Sequence, residues 1–530
     1  MSKMAWLLWT LVASVQADEL TRMPSSLEDL IYANIAADLY NEKACKAPSP
    51  TDFIFIWTDK PEFCLRPDED AFIPSSYEAY CEGRRIEMSQ EFRRVWHMYK
   101  KKAWGYDSFN PVTGEGNDDR GGIGFFIYDN LDSLYLMGTE DEFLDAVDYI
   151  KKNSIVRDQS LRTGPLIGNV LGGLLSAYDL SGNYDVGNIT VKLGDLLLEA
   201  YSHKDENLPN TLFNLETKAG SSPTYKLQVS ELSQWSEFYR LYQITGDDRY
   251  LETINRMVQY LYDYHPRYHS LPPYVSTLDV KRRKSRFSGS LSVDWQGSAT
   301  YRNLYNAWRQ MGQNNTKISD IYDLSKQFIL KNLTLQMKDG GFFTAERADN
   351  ETLLYRMHAS ACMWPGQLAL DSLQRYNLSE LALANKLIET CVQMYRSSKA
   401  GVPPTYTYFS PEGPYYYEEF MGYRLFPDLF ESFFHQFRAT HDSVYRTAAY
   451  YLYKAVLRAA GIENGFSGVT DVNVVPPEHD NQMPSAFTAR ALKYLFLLFS
   501  DVIPTQDLVL PSSEYVFSPH GHIYLVKSDA

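Results

Sequence analysis

SELSQWSEFYRLYQITGD (230–247) runs almost directly into RYLETINRMVQYLYDY (249–264). In both stretches apolar residues recur at three- and four-residue steps, the stripe of an amphipathic helix. Gly246 stands where the chain must turn. The pair reads as a helical hairpin. The same pattern returns in MSQEFRRVWHMYKKKAW (88–104), DEFLDAVDYIKKN (141–153), LGGLLSAYDL (171–180), SATYRNLYNAWRQM (298–311) and SDIYDLSKQFILKNL (319–333). It continues in GQLALDSL (366–373), LALANKLIETCVQMY (381–395), LFESFFHQFRAT (429–440), SVYRTAAYYLYKAVLRAA (443–460) and SAFTARALKYLFLLF (485–499). Helices in sequential pairs, with no βαβ alternation, predict an all-α fold. A closed ring of helical hairpins around a central cavity satisfies the pattern. A flat solenoid competes, but the irregular spacing and unequal loops count against it. Strand-like alternation is scarce outside EYVFSPHGHIYLV (514–526), which reads as a β-hairpin turning at Pro-His-Gly.

The 530 residues suffice for three average domains or one large α-barrel with extra segments. Hydrophobic residues make up 44 % and charged residues 22 %, an ordinary globular balance. The 40 Tyr, 27 Phe and 9 Trp suit sugar stacking, but large helix–helix cores use such rings more often. A net charge of −15 argues against a nucleic-acid partner, which needs clustered Lys and Arg. The basic run KRRKSR (281–286) lies between polar stretches and reads as a solvated loop.

Lys3, the apolar run AWLLWTLVA (5–13) and the small residues up to Ala17 read as a signal peptide over 1–17. No later run reaches membrane length, so no membrane span is expected after cleavage. Five N-x-S/T sequons, at Asn188, Asn314, Asn332, Asn350 and Asn377, fit a secretory route. The cysteines are Cys45, Cys64, Cys81, Cys362 and Cys391, an odd number. Residues 18–90, with the Pro-rich patch KAPSPTDF (46–53), read as an N-terminal extension, and 91–530 as the helical body.

Seven stretches then occur in order: AWGYDSFNP (103–111), IYDNLDSLYLMG (127–138), LGGLLSAYDLSG (171–182), EFYRLYQITGD (237–247), CMWPGQLAL (362–370), YRLFPDLFES (423–432) and LKYLFLLFSD (492–501). Together they resemble the class I α-1,2-mannosidases, glycoside hydrolase family 47, over about residues 90 to 525. The resemblance implies an (α/α)7 barrel plugged by a C-terminal β-hairpin. It also implies a calcium ion at the barrel floor and the trimming of mannose from N-glycans in the secretory pathway. The spacing of Cys362 and Cys391 resembles the disulfide of the processing enzymes.

An inverting glycosidase needs one carboxyl group to protonate the leaving oxygen and a second, across the sugar, to activate water. Carried over by local register, the first acid position is Pro165, and the Arg position beside it is Asn169. The second acid position is Ser298, and the Glu one turn later is Arg302. Asp294, one turn earlier, reads as a capping or surface residue. The third acid is shortened to Asp428. The Arg before its proline is Phe426, and Glu431 is retained. The calcium-ligand position is Pro519, followed by His520. Two further Glu positions read Pro484 and Arg490, and the His position before the disulfide reads Ala359, next to His358. Framework residues Asp129, Asp132, Gly172, Gly173, Pro427, Glu431 and Ser432 persist.

A kept framework with a stripped site predicts a catalytically degenerate member that is not an enzyme. No cofactor is expected, with calcium only if an altered site survives. The implied partners are high-mannose N-glycans or misfolded glycoproteins in endoplasmic-reticulum quality control and degradation. The implied location is the ER lumen, with secretion as the alternative. The competing reading is an active mannosidase with a rebuilt site, using Asp428 or Glu431 with Asp294.

Overall fold

The computed structural model describes residues 77–201, 209–221, 226–232, 234–264, 274–276, 287–288, 290–338, 340–348, 352–410, 413–415, 421–500 and 514–526. The signal stretch, the Pro-rich patch, KRRKSR and Asn350 lie outside them. The chain divides into two compact units, Met1–Gly83 and Arg84–Ala530. The second unit carries the predicted hairpins.

Fourteen main helices are present among the described residues, in the order α1 (Tyr77–Lys102), α2 (Phe125–Leu136), α3 (Glu140–Lys152), α4 (Gly172–Ser181), α5 (Tyr184–Leu198), α6 (Trp235–Thr245), α7 (Asp248–Tyr264), α8 (Trp295–Gln310), α9 (Thr316–Asn332), α10 (Trp364–Arg375), α11 (Leu378–Arg396), α12 (Asp428–Thr440), α13 (Val444–Ala460) and α14 (Lys493–Leu498). The first helix starts at Tyr77, well before the stretch at 88 that predicted it. Even-numbered helices pack in succession, α2 on α4 through to α12 on α14. The π-helical stretch Phe487–Leu492, just before α14, returns to α2 and closes the ring. Seven inner helices backed by seven outer ones make a closed ring of hairpins, the (α/α)7 barrel that the resemblance implies.

The hairpins turn by local chemistry. Gly182 and Gly246 take φ of 64° and 68° at the ends of α4 and α6, a region open to glycine without steric cost. Asn183, Asn315 and Asn377 then cap α5, α9 and α11, each accepting backbone N–H bonds on its side-chain oxygen. These turns are short. The opposite connections, from outer to inner helix, are long, and they form small two- and three-stranded antiparallel pairings. The sequence shows little alternation there, because nearly all these strands have only two or three residues, too few to display a period; Tyr406–Ser410, with five, is the longest among the described residues.

Asp107 of AWGYDSFNP has a structural role. Its carboxylate accepts N–H bonds from Arg120, Gly122, Ile123, Gly124 and Phe125 at 2.6–3.1 Å, fixing the loop that starts α2.

The tail hairpin forms as read, Tyr515–Phe517 against Ile523–Leu525. It inserts into the ring and bonds to inner helices on several sides. Ile523 N donates to Ser176 Oγ (2.9 Å), Leu525 N to Asp179 Oδ2 (3.2 Å), and Asn306 Nδ2 to Phe517 O (2.8 Å). Arg240 clamps Asp179 with Nε and Nη2, tying α6 to α4 beneath the plug. Cys362 and Cys391 form a disulfide, joining the start of α10 to α11.

Candidate functional site

The inner helices begin where the plug ends, so their first turns and the hairpin tip share one floor. Thr163–Pro165, the π-helical Leu166–Leu171 and α4 follow without a break. Pro165 sits in the first turn with φ −61°, the angle its ring presets. Two π-helical stretches, 166–171 and 487–492, face the tip; such widened turns cluster at functional sites. The fit is close. A Cβ on Gly168 would lie 2.3 Å from His520 Nε2, and one on Gly521 would lie 2.8 Å from Arg490 Cγ.

Each substituted position has a structural occupation. Ser298 is buried and donates its hydroxyl to Val293 O at 2.6 Å. Asn169 donates to Asp129 Oδ1 at 2.8 Å. Asp294 accepts from Gly297 N at 3.2 Å, so it caps α8. Phe426 stacks edge-on with His358 at 5.1 Å. Pro519 is buried in the plug turn, whereas Pro484 is exposed.

The retained acids, one helical turn apart on α12, meet a cation. Arg490 Nη2 lies 3.1 Å from Asp428 Oδ1 and 2.8 Å from Glu431 Oε2. Arg302 Nη2 lies 2.7 Å from the other Glu431 oxygen. All four side chains are 3 % exposed or less. Burial pushes Glu431 up, but Arg302, then His435 and Arg490, overcome it and hold the carboxyl at about 2. Asp428 goes the other way: burial dominates the opposing Arg490 and raises it to about 6. Burial lowers His435 to about 4, and its neutral Nε2 accepts from Arg302 Nη1 at 3.1 Å.

A second cluster lies beside the first. Lys493 Nζ donates to Asp132 Oδ2 at 2.7 Å and to Gly521 O at 3.0 Å. His522 stands between Asp132 (3.1 Å) and Asp129 (3.5 Å). Burial opposes its protonation, but Asp132 leads the interactions that raise it. The sequence reading kept Asp129 and Asp132 as framework and missed Lys493 and His522. Two acids one turn apart in the apolar helix 125–136 were the available signal.

Glu237 was also missed. It is buried and accepts from Tyr524 OH at 3.0 Å. Burial, opposed by that hydrogen bond, raises it to about 7. The unfolded chain releases this proton near the ordinary glutamate value, so ionising Glu237 costs native stability as pH rises toward 7 and above. Glu237→Gln should therefore gain on wild type at pH 8 and lose most of that gain by pH 5. The difference should be about 2–3 kcal/mol, read from urea unfolding at both pH values. A gain that does not change with pH would contradict a buried, late-titrating carboxyl.

The residues at this floor do not suit the calcium that the resemblance implies. A calcium site wants several oxygen donors and excess negative charge. Here Asp129, Asp132, Asp428 and Glu431 already face Lys493, His522, Arg490 and Arg302. Pro519 brings no hydroxyl.

The chain is 28 % identical over 452 residues to mannosyl-oligosaccharide 1,2-alpha-mannosidase MNS1 of Arabidopsis thaliana, covering 83 % of this chain and 78 % of that protein. It is 27 % identical over 447 residues to the endoplasmic reticulum mannosyl-oligosaccharide 1,2-alpha-mannosidase of Homo sapiens, covering 81 % of this chain and 62 % of that one. The alpha-1,2-mannosidase from Trichoderma reesei shares the fold, with a TM-score of 0.75 at 21 % identity over 84 % of this chain and 99 % of that one. The model of glycosyl hydrolase family 47 matches residues 91–526. A barrel of seven helical pairs, a plug hairpin and a family match across nearly the whole barrel place this chain in glycosyl hydrolase family 47.

Proposed function

We propose that this chain is a catalytically degenerate member of its family. It acts in the secretory pathway, in the ER lumen, where it recognises high-mannose N-glycans or misfolded glycoproteins instead of trimming them. One observation carries this reading: the two surviving acids share a single guanidinium nitrogen. Their nearest oxygens are therefore within about 6 Å of each other, short of the roughly 6.5–9.5 Å that leaves room for water in an inverting site. Both carboxyl groups also come from one helix, so neither stands across a sugar from the other. Pro165 has no proton to give, Ser298 has spent its hydroxyl, and Asp294 caps a helix.

The sequons support the secretory route. Asn188, Asn314 and Asn332 are exposed. Asn377 caps α11 through Oδ1, and a glycan attaches through the side-chain nitrogen. No helix among the described residues is long and apolar enough to cross a membrane.

The test is incubation of the purified full chain with a high-mannose oligosaccharide, with released mannose and remaining glycan read by mass spectrometry. No release above a no-protein control is expected, with or without calcium. Losing a positioned general acid alone costs about 10²–10⁴-fold. Mannose release that Asp428→Asn abolishes would overturn the proposal in favour of a rebuilt active site.

A further inference from the structure

Arg490 meets α12, the start of α8, the segment before α10 and the plug tip at once. Its Nη2 bridges Asp428 and Glu431 of α12. Its guanidinium lies 5.0 Å over the ring of Trp295 at the start of α8. That ring meets His520 of the plug tip edge-on at 5.2 Å. Its stem packs against Gly521 of the same tip, and Nη2 lies 3.4 Å from Met363 Sδ just before α10. Arg302 completes the neutralisation of Glu431 from α8. One turn beyond Arg490, Lys493 binds Asp132 of α2 and the carbonyl of Gly521 together.

A cation that gathers carboxylates from the barrel and anchors the plug tip does what a bound dication does in such a place. We propose that Arg490, backed by Arg302, is a built-in replacement for a metal ion. It neutralises the floor acids and fastens the plug to the barrel with a cation that no chelator can remove. The physical reason is charge balance. Buried carboxylates need a cation at close range, and Arg490 supplies one whose Nη2 reaches both acids at once. The barrel is then complete without metal, independently of any turnover.

Thermal unfolding of the full-length chain tests this. The wild-type midpoint should not move between excess EDTA and millimolar calcium. Arg490→Met should lower it by on the order of 5 °C or more, because two acids lose their shared cation. Arg490→Lys, which keeps the charge but not the planar guanidinium that lies over Trp295, should recover part of that loss. Arg490→Glu should gain a calcium response absent from wild type, with a rise in midpoint and terbium luminescence sensitised by the adjacent Trp295. A calcium-dependent rise in wild type, an Arg490→Met chain as stable as wild type, or an Arg490→Glu chain indifferent to calcium overturns the proposal. Mannose release by wild type would sink the functional reading above and leave this one standing.

Discussion

Glu431→Ala should be the most damaging single truncation at the floor, costing about 3–5 kcal/mol or preventing recovery of folded protein. Glu431 binds Arg302 with one oxygen and Arg490 with the other. Removing it strands the Arg302 guanidinium and takes one of its two acids from Arg490, in a region where neither arginine is more than 3 % exposed. His435, which lies 3.7 Å from Glu431 and beside Arg302, cannot compensate, because burial keeps it neutral. Asp428 would be left to face Arg490 alone. Glu431→Gln, which keeps the shape and loses the charge, should fall between alanine and wild type. Urea unfolding monitored by circular dichroism reads all three. An alanine variant within about 1 kcal/mol of wild type would mean that the cluster is not held by charge. The quadruple change Glu431→Leu, Asp428→Leu, Arg302→Met, Arg490→Leu, which removes every charge of the cluster, is the complementary case. Replacing a buried ion cluster by apolar groups is often neutral or stabilising, so it should restore much of what Glu431→Ala loses.

Gly173→Ala should be nearly as severe, at about 3 kcal/mol or more, although helix propensity alone favours alanine by about 1 kcal/mol. A Cβ at this position would lie 2.1 Å from the carbonyl oxygen of Tyr128. That obstacle is the backbone of α2, which cannot rotate away as a side-chain end can. The glycine lets α4 and α2 approach closely, and α2 carries Asp129 and Asp132 into the floor. Overpacking a tight core typically costs about 1–3 kcal/mol, and more where nothing can give. The thermal midpoint checks this directly, and a variant as stable as wild type would show that the two helices separate easily.

These two cases also show how far the sequence could be read. The helical hairpins were legible because their apolar stripes span three turns or more and their ends carry glycine and asparagine. The plug hairpin was legible from its alternation, and that Pro165 and Ser298 stand where the resemblance implies acids is a reading of register within short motifs. What Arg302 and Arg490 do was not legible. Each looks, in sequence, like a charge in the wrong place. Arg302 is 129 residues from Glu431, and no local pattern joins them. Glu237 and Tyr524 meet only because the tail enters the ring beside α6. The small strand pairings of the long connections were also hidden, since two residues carry no period.

By itself, then, the sequence determined the all-α architecture, the plug and the absence of acids at Pro165 and Ser298, because these rest on spacing along the chain and on which side chains hold a proton. Only the tertiary structure decided that the remaining acids, Asp428 and Glu431, are neutralised by Arg490 and Arg302. Ion pairing is set by distance and burial, and both are fixed by where helices far apart in the chain come to lie.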